Sequence, residues 1–180
     1  MMEQDMQEIL FTREDLLTRI KEIAAQMSKD YEGKAPVVIG ILRGSFIFMA
    51  DLVRELNIPN MTLDFMSASS YGSGAVSSGL VDIKLDTSEP ITGKDVILVE
   101  DILDTGNTLS KLVAELKKRD PASIKLCVML DKPERRAKPI QADYVGFRIP
   151  DGFVVGCGLD YDQKYRQLEY IGVLKPEIYE

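Results

Sequence analysis

Apolar side chains recur along the chain in two alternating rhythms. Leu16, Ile20, Ile23 and Met27 fall at helical spacing. Thr12 ahead of Arg13, Glu14 and Asp15 supplies a capping box with Asp in its last position, so residues 12–29 are predicted to form an amphipathic helix. From Val37 to Leu42 the chain is continuously apolar and largely β-branched, the pattern of a short strand buried on both faces. That run stops at Arg43-Gly44-Ser45, after which Met49, Leu52, Val53 and Leu56 resume a helical pattern. The same order returns with Val96-Ile97-Leu98-Val99, a polar glycine-containing segment, and Leu109, Leu112, Val113 and Leu116, with Pro121 ending the helix. Further apolar strands are expected over 124–130, 144–149 and 153–157. Buried strands alternating with helices predict an α/β fold around a mainly parallel sheet. Residues 67–80 are small and polar with little to bury, and read as a mobile segment, either a linker or a lid over a site.

Composition narrows the chemistry. With 180 residues, 45% hydrophobic and 28% charged, the chain has the make-up of one soluble globular domain spanning residues 1–180. Twenty-two basic against 29 acidic residues leave a net charge of −7, the wrong sign for holding nucleic acid, so no such partner is expected. Histidine is absent, which excludes a Ser-His-Asp triad, a Cys-His pair and any histidine metal ligand. Acid–base work must therefore fall to carboxylates, Lys, Tyr or Cys. Cys127 and Cys157 lie in apolar runs and read as buried structural thiols rather than a disulfide or zinc framework. No apolar run approaches the roughly 18 residues of a membrane span, and Met1 to Glu8 is acidic where a signal peptide would be basic. A reducing cytoplasm without membrane attachment is the expected setting.

The segment richest in chemistry runs from Val96 to Thr108, where a buried strand enters Glu100-Asp101, then Ile102-Leu103, then the turn Asp104-Thr105-Gly106-Asn107-Thr108 that opens a helix. Open α/β sheets bind ligands at such strand ends. The turn offers successive backbone N–H groups and two hydroxyls at a helix N-terminus, which suits a phosphate, and Gly106 allows close approach. Glu100 and Asp101 suit sugar hydroxyls or a water-bridged Mg²⁺. Asp104 and Thr105 alone would read as helix caps, and the acidic pair alone as a solvated loop. No Gly-x-x-x-x-Gly-Lys-Ser/Thr occurs, which removes the P-loop reading.

In this order, the strand, the acidic pair and the Asp-Thr-Gly-Asn-Thr turn resemble the phosphoribosyl-pyrophosphate motif of type I phosphoribosyltransferases. From about Val37 to Val173 the chain is similar to the short bacterial form of the hypoxanthine-guanine phosphoribosyltransferase family. The resemblance implies a type I phosphoribosyltransferase fold with a central parallel sheet, a small hood and a flexible loop. Residue by residue, Leu42-Arg43-Gly44 resembles the pyrophosphate loop, and Ser70-Tyr71 the pair in the closing loop. Lys132 resembles the lysine that reads the purine 6-oxo group. Phe153-Val154 resembles the pair that stacks on the base and bonds its edge. Asp160 matches the Mg²⁺-linked aspartate of the base site, and Arg166 the arginine on pyrophosphate. Asn107 and Arg43 stand where some members carry lysine.

The activity so implied is purine salvage: Mg²⁺-dependent transfer of ribose 5-phosphate from phosphoribosyl pyrophosphate to N9 of hypoxanthine or guanine. Asp104 is the expected general base, and Glu100, Asp101 and Asp160 are the expected metal-linked acids. A homodimer or homotetramer is implied by the same resemblance. A ligand-sensing regulator on the same fold is the alternative from another class, and orotate, uracil or adenine transferases are alternatives within enzymes. Lys132, Phe153 and Asp160 favour a 6-oxopurine base.

Overall fold

The computed structural model describes residues 2–70 and 81–179. Nine strands and four helices follow one another as β1 (Met6–Phe11), α1 (Arg13–Asp30), β2 (Val37–Leu42), α2 (Phe46–Glu55), β3 (Thr62–Ser70), β4 (Val81–Leu85), β5 (Asp95–Leu103), α3 (Asn107–Lys117), β6 (Ser123–Asp131), β7 (Tyr144–Arg148), β8 (Val154–Val155), β9 (Ile171–Leu174) and α4 (Pro176–Tyr179). Helix α1 starts where the sequence places it. Thr12 accepts from the Asp15 N–H, and Asp15 accepts in return from the Thr12 N–H, closing the capping box.

Six strands form the main sheet in the order β4-β3-β2-β5-β6-β7, with only β4 antiparallel to its neighbour. Residues of the central strands divide by period two between its faces. Val38, Ile97, Val99, Cys127 and Met129 pack with α1 and α2 on one side. Val37, Ile39, Ile41, Val96 and Leu98 pack with Leu112 and Leu116 of α3 on the other. Both cysteines are buried and unpaired, as expected of structural thiols. Beneath the first layer, the Asp51 carboxylate of α2 is 4% exposed and is held by Arg13 of α1 at 2.5 Å and by Arg54.

A second, three-stranded antiparallel sheet in the order β1-β9-β8 sits over the end of the first, the hood that the resemblance implies. Here the structure corrects two readings. The apolar run 153–157 is not a further strand of the main sheet. Only Val154 and Val155 are strand, they pair with β9, and Gly156 and Cys157 turn away with φ of 101° and 50°. Of the segment read as mobile, Ser67 to Ser70 instead complete β3 and pair with β4, and residues 71–80 lie outside the described residues. Small polar side chains mask a strand whose ladder is made by backbone. Among the described residues, no helix is long and apolar enough to cross a membrane.

Because a charge-assisted contact to a buried carboxylate contributes about 1.5–3 kcal/mol, Arg13→Met is expected to lower stability by about that amount. The urea midpoint should fall with the slope unchanged. An unmoved midpoint would mean that Arg54 alone satisfies Asp51.

Candidate active site

Strand order places the site. From β2 the chain steps outward to β3, and from β5 it steps the other way to β6 and β7, so the sheet reverses direction between β2 and β5. Ligands bind at the carboxyl ends of strands beside such a switch point. Gly40 pairs with Val99, which brings the turn after β2 against Glu100 and Asp101. The Leu42–Arg43 peptide in that turn is cis. A Cβ on Gly44 would lie 1.6 Å from Asp101 Oδ2, and one on Gly158 would lie 1.9 Å from the Gly44 carbonyl oxygen. Three segments distant in sequence therefore meet at van der Waals contact, and two glycines make it possible.

The turn after β5 walls a cavity of about 270 Å³, shared by Ile41, Leu42, Ala68 and every residue from Glu100 to Leu109. Gly106, at φ 77°, is the N-cap of α3, so neither Asp104 nor Thr105 takes that position, and both line the cavity. Thr105 accepts from the Asn107 N–H at 3.3 Å. Burial pushes the Glu100 carboxyl well above the ordinary carboxylate range, and the adjacent Asp101 charge pushes it further. Asp101 is raised by burial too, partly offset by Glu100, the Ile102 N–H and Arg166.

A second cavity of about 550 Å³ opens between the main sheet and the hood, with Ile102, Asp104, Lys132, Phe153, Val154 and Asp160 in its wall. Ile102 and Asp104 line both cavities. Lys132 is buried at the end of β6, and its Nζ donates to the Gly152 carbonyl at 2.6 Å, which leaves further donors. Val154 lies in β8, the edge strand of the hood, and pairs with β9 alone. Asp160 accepts from the Gln163 N–H at 2.8 Å and pairs with Arg166 Nη2 at 2.8 Å. Arg43 and Arg166 both donate to the side-chain oxygen of Gln163, at 2.9 and 3.1 Å, so the two expected pyrophosphate cations stand together.

The three expected metal-linked acids do not lie together. Among the described residues, no three acidic or cysteine side chains gather closely enough to hold an ion. Asp160 takes Arg166 as its partner instead of joining Glu100 and Asp101. The two remaining acids do fit magnesium, which keeps several waters and needs only one or two carboxylates beside substrate oxygens. Burial raises the Glu100 carboxyl and the neighbouring Asp101 charge raises it further, a crowding of like charge that a divalent ion beside the two acids would offset. Of the loop pair, Ser70 ends β3 and Tyr71 lies outside the described residues.

Several residues here carried no sequence signal. Arg136 reads as one more charge in a basic cluster, yet its guanidinium is largely buried and donates to the carbonyls of Asp104 at 3.0 Å and Ile140 at 2.6 Å while pairing with Asp131. Arg135 lines the larger cavity with its Nε 3.0 Å from Asp104 Oδ1 and its Nη1 3.2 Å from Asp151. Tyr179 lines it from the far end of the sequence. Contacts across so many intervening residues leave no local pattern to read.

Residues 6–162 match the family model for the phosphoribosyl transferase domain. The chain is 49% identical over 179 residues to a hypoxanthine-guanine phosphoribosyltransferase of Streptococcus thermophilus, covering 99% of both proteins. It is 46% identical over 180 residues to the protein of that name from Bacillus subtilis, covering 99% of it. A crystal structure of a hypoxanthine phosphoribosyltransferase from Staphylococcus aureus superposes with a TM-score of 0.95 at 48% identity, with 99% of this chain and 97% of that one covered. A fold with this switch point, carrying the phosphoribosyl-pyrophosphate motif on its central strand and matched over its full length in sequence and shape, belongs to the hypoxanthine-guanine phosphoribosyltransferase family of purine-salvage enzymes.

Proposed function

We propose that this chain, acting as one domain, transfers the 5-phosphoribosyl group of phosphoribosyl pyrophosphate to N9 of hypoxanthine or guanine, yielding IMP or GMP and pyrophosphate. What supports this most is that Ile102 and Asp104 belong to both cavities. A sugar phosphate seated in the smaller and a base seated in the larger would meet beside one carboxylate. The C1′–oxygen bond to pyrophosphate breaks, the C1′–N9 bond forms, and the proton of the base passes to Asp104 from N7. A carboxylate can do this without histidine.

The backbone amides from Asp104 to Thr108 hold the 5-phosphate at the start of α3, and Glu100 and Asp101 hold the ribose hydroxyls. Arg43, the Gly44 backbone and Arg166 stabilise the charge that collects on the departing pyrophosphate. Magnesium, held through water by Glu100 and Asp101 and by substrate oxygens, supplies further charge neutralisation. Lys132 donates to the 6-oxo group, Phe153 stacks on the ring, and the free edge of Val154 bonds the base. Asp160 positions Arg166 at the mouth.

Two further features complete the reading. Phe65 packs over β2 beside Met49 of α2, Leu63 shares its face by strand periodicity, and Leu85 joins them through its pairing with Ser67. Leu63, Phe65, Leu85 and nearby Phe46 are all at least 39% exposed, an apolar face suited to a second copy in a homodimer or homotetramer. The buried free thiols suit a reducing cytoplasm.

With phosphoribosyl pyrophosphate present, turnover should be confined to 6-oxopurines when hypoxanthine, guanine, xanthine, adenine, uracil and orotate are offered separately, and a chelator should abolish it. Turnover of orotate or uracil would defeat the assignment of the base. Asp104→Ala should lower kcat by about 10² or more, the range for lost acid–base catalysis, with phosphoribosyl-pyrophosphate binding still measurable by calorimetry. An unchanged kcat removes Asp104 from the role. Lys132→Ala should narrow the kcat/KM preference for hypoxanthine over adenine; if the preference survives, another group reads position 6.

A further inference from the structure

Phe153, to which the proposed reaction gives base stacking, is itself stacked. Tyr179, at the end of α4, lies against one face of its ring, with centroids 4.8 Å apart and planes inclined by 23°. Tyr161 meets the ring edge-on at 5.5 Å and 89°. Phe153 nevertheless keeps 37% of its surface exposed. With one face on Tyr179 and an edge on Tyr161, what stays open is chiefly the opposite face, and Phe153 lines the larger cavity.

Tyr179 is in turn anchored to the hood. The Ile178 N–H donates to the Lys175 carbonyl at 3.0 Å, and the Lys175 N–H donates to the Asp5 carbonyl at 3.0 Å. Ile178 and Tyr179 pack on the cluster of Met6, Val155, Tyr165 and Leu174. The carbonyl of Phe153 accepts from the Leu174 N–H at 2.8 Å, two residues before α4 begins. Both rings of the pair thus hang from the same strand, β9.

We propose that Tyr179 is a positioning residue for the purine base: it braces Phe153 from behind, so that a bound base completes a three-ring stack of Tyr179, Phe153 and purine. This rests on the base site proposed above. A phenylalanine at the mouth of a cavity, free on both faces, must be immobilised by the base as it binds, and that ordering subtracts from affinity. A ring already pinned presents its open face in place. The turn from Asp104 to Thr108 walls the smaller cavity, which Tyr179 does not line, so phosphoribosyl pyrophosphate should not sense the brace.

The test is steady-state kinetics of Tyr179→Ala, Tyr179→Leu and Tyr179→Phe, with hypoxanthine and phosphoribosyl pyrophosphate varied in turn. Loss of one aromatic stacking contact corresponds to about three- to tenfold in an equilibrium. Ala and Leu should raise the hypoxanthine KM by that factor while kcat and the phosphoribosyl-pyrophosphate KM stay put, and Phe should restore the wild-type value. Leu keeps apolar bulk on the hood cluster and carries the test if Ala fails to fold. An unmoved hypoxanthine KM overturns the proposal. A lowered one also does, since Tyr179 would then occupy the face that the base needs. Equal increases in both KM values overturn it as well, because they mean general loosening. Wild-type protein that turns over no 6-oxopurine would defeat the base site and the brace together, whereas wild-type turnover with unmoved variants defeats the brace alone.

Discussion

At Gly44 there is no room for a β-carbon. On one side stands the Asp101 carboxylate, and on the other the backbone at Gly158 presses on the Gly44 carbonyl. The turn after β2 is thereby fixed against the Asp101 side chain at the end of β5 and, main chain to main chain, against the segment leaving the hood. Most of the active-site arrangement follows from that fit. It sets how near Arg43 stands to Arg166, and it sets the hood at the distance from the main sheet that leaves a cavity of about 550 Å³ between them. Ser45 Oγ donates back to the Ile41 carbonyl at 2.6 Å and Arg43 reaches out to Gln163, so side chains at both ends of the turn hold it around the bare Gly44.

Charge is distributed around this contact by position rather than by total. The chain carries a net −7, yet at the strand end the half-buried Glu100 and Asp101 stand in the field of Arg166, which shares Gln163 with Arg43. Gln163 accepts from both guanidinium groups through a neutral oxygen. A carboxylate there would satisfy the same donors but add a second negative charge beside Arg166, which Asp160 already pairs. Asp160 also lines the larger cavity, so one ion pair joins the wall of that cavity to the two arginines.

How much of this was legible in the sequence depends on the range of the interaction. The capping box at Thr12 and Asp15, the runs that became β2 and β5, and the turn that opens α3 are local, and their patterns survive into the structure. By contrast, β1 finds its partner β9 across the length of the chain, with β8 on the other side of β9, and β3 runs into polar Ser67 to Ser70 because its partner is backbone. The site divides the same way. The phosphate turn is contiguous and could be read directly; Lys132, Phe153 and Asp160 became legible only through family resemblance; Arg136 and Tyr179 act through contacts that no spacing records.

The connection between β6 and β7 shows why the two subsites behave as one body. Lys132 sends its side chain toward the base cavity, while its own N–H donates to the Leu103 carbonyl at 2.9 Å. Four residues on, Arg136 bonds the carbonyls of Leu103 and Asp104, and the Ala137 N–H donates to the Thr105 carbonyl at 2.9 Å. One short segment therefore lines the larger cavity and clasps the turn after β5. Only a guanidinium has a planar fork able to reach two successive carbonyls, a third at Ile140 and the Asp131 carboxylate at once; a lysine ammonium would have to choose among them. Holding both subsites on one rigid clasp spares the reaction the cost of aligning base with sugar after binding, and that alignment is the part of catalysis most sensitive to small displacements.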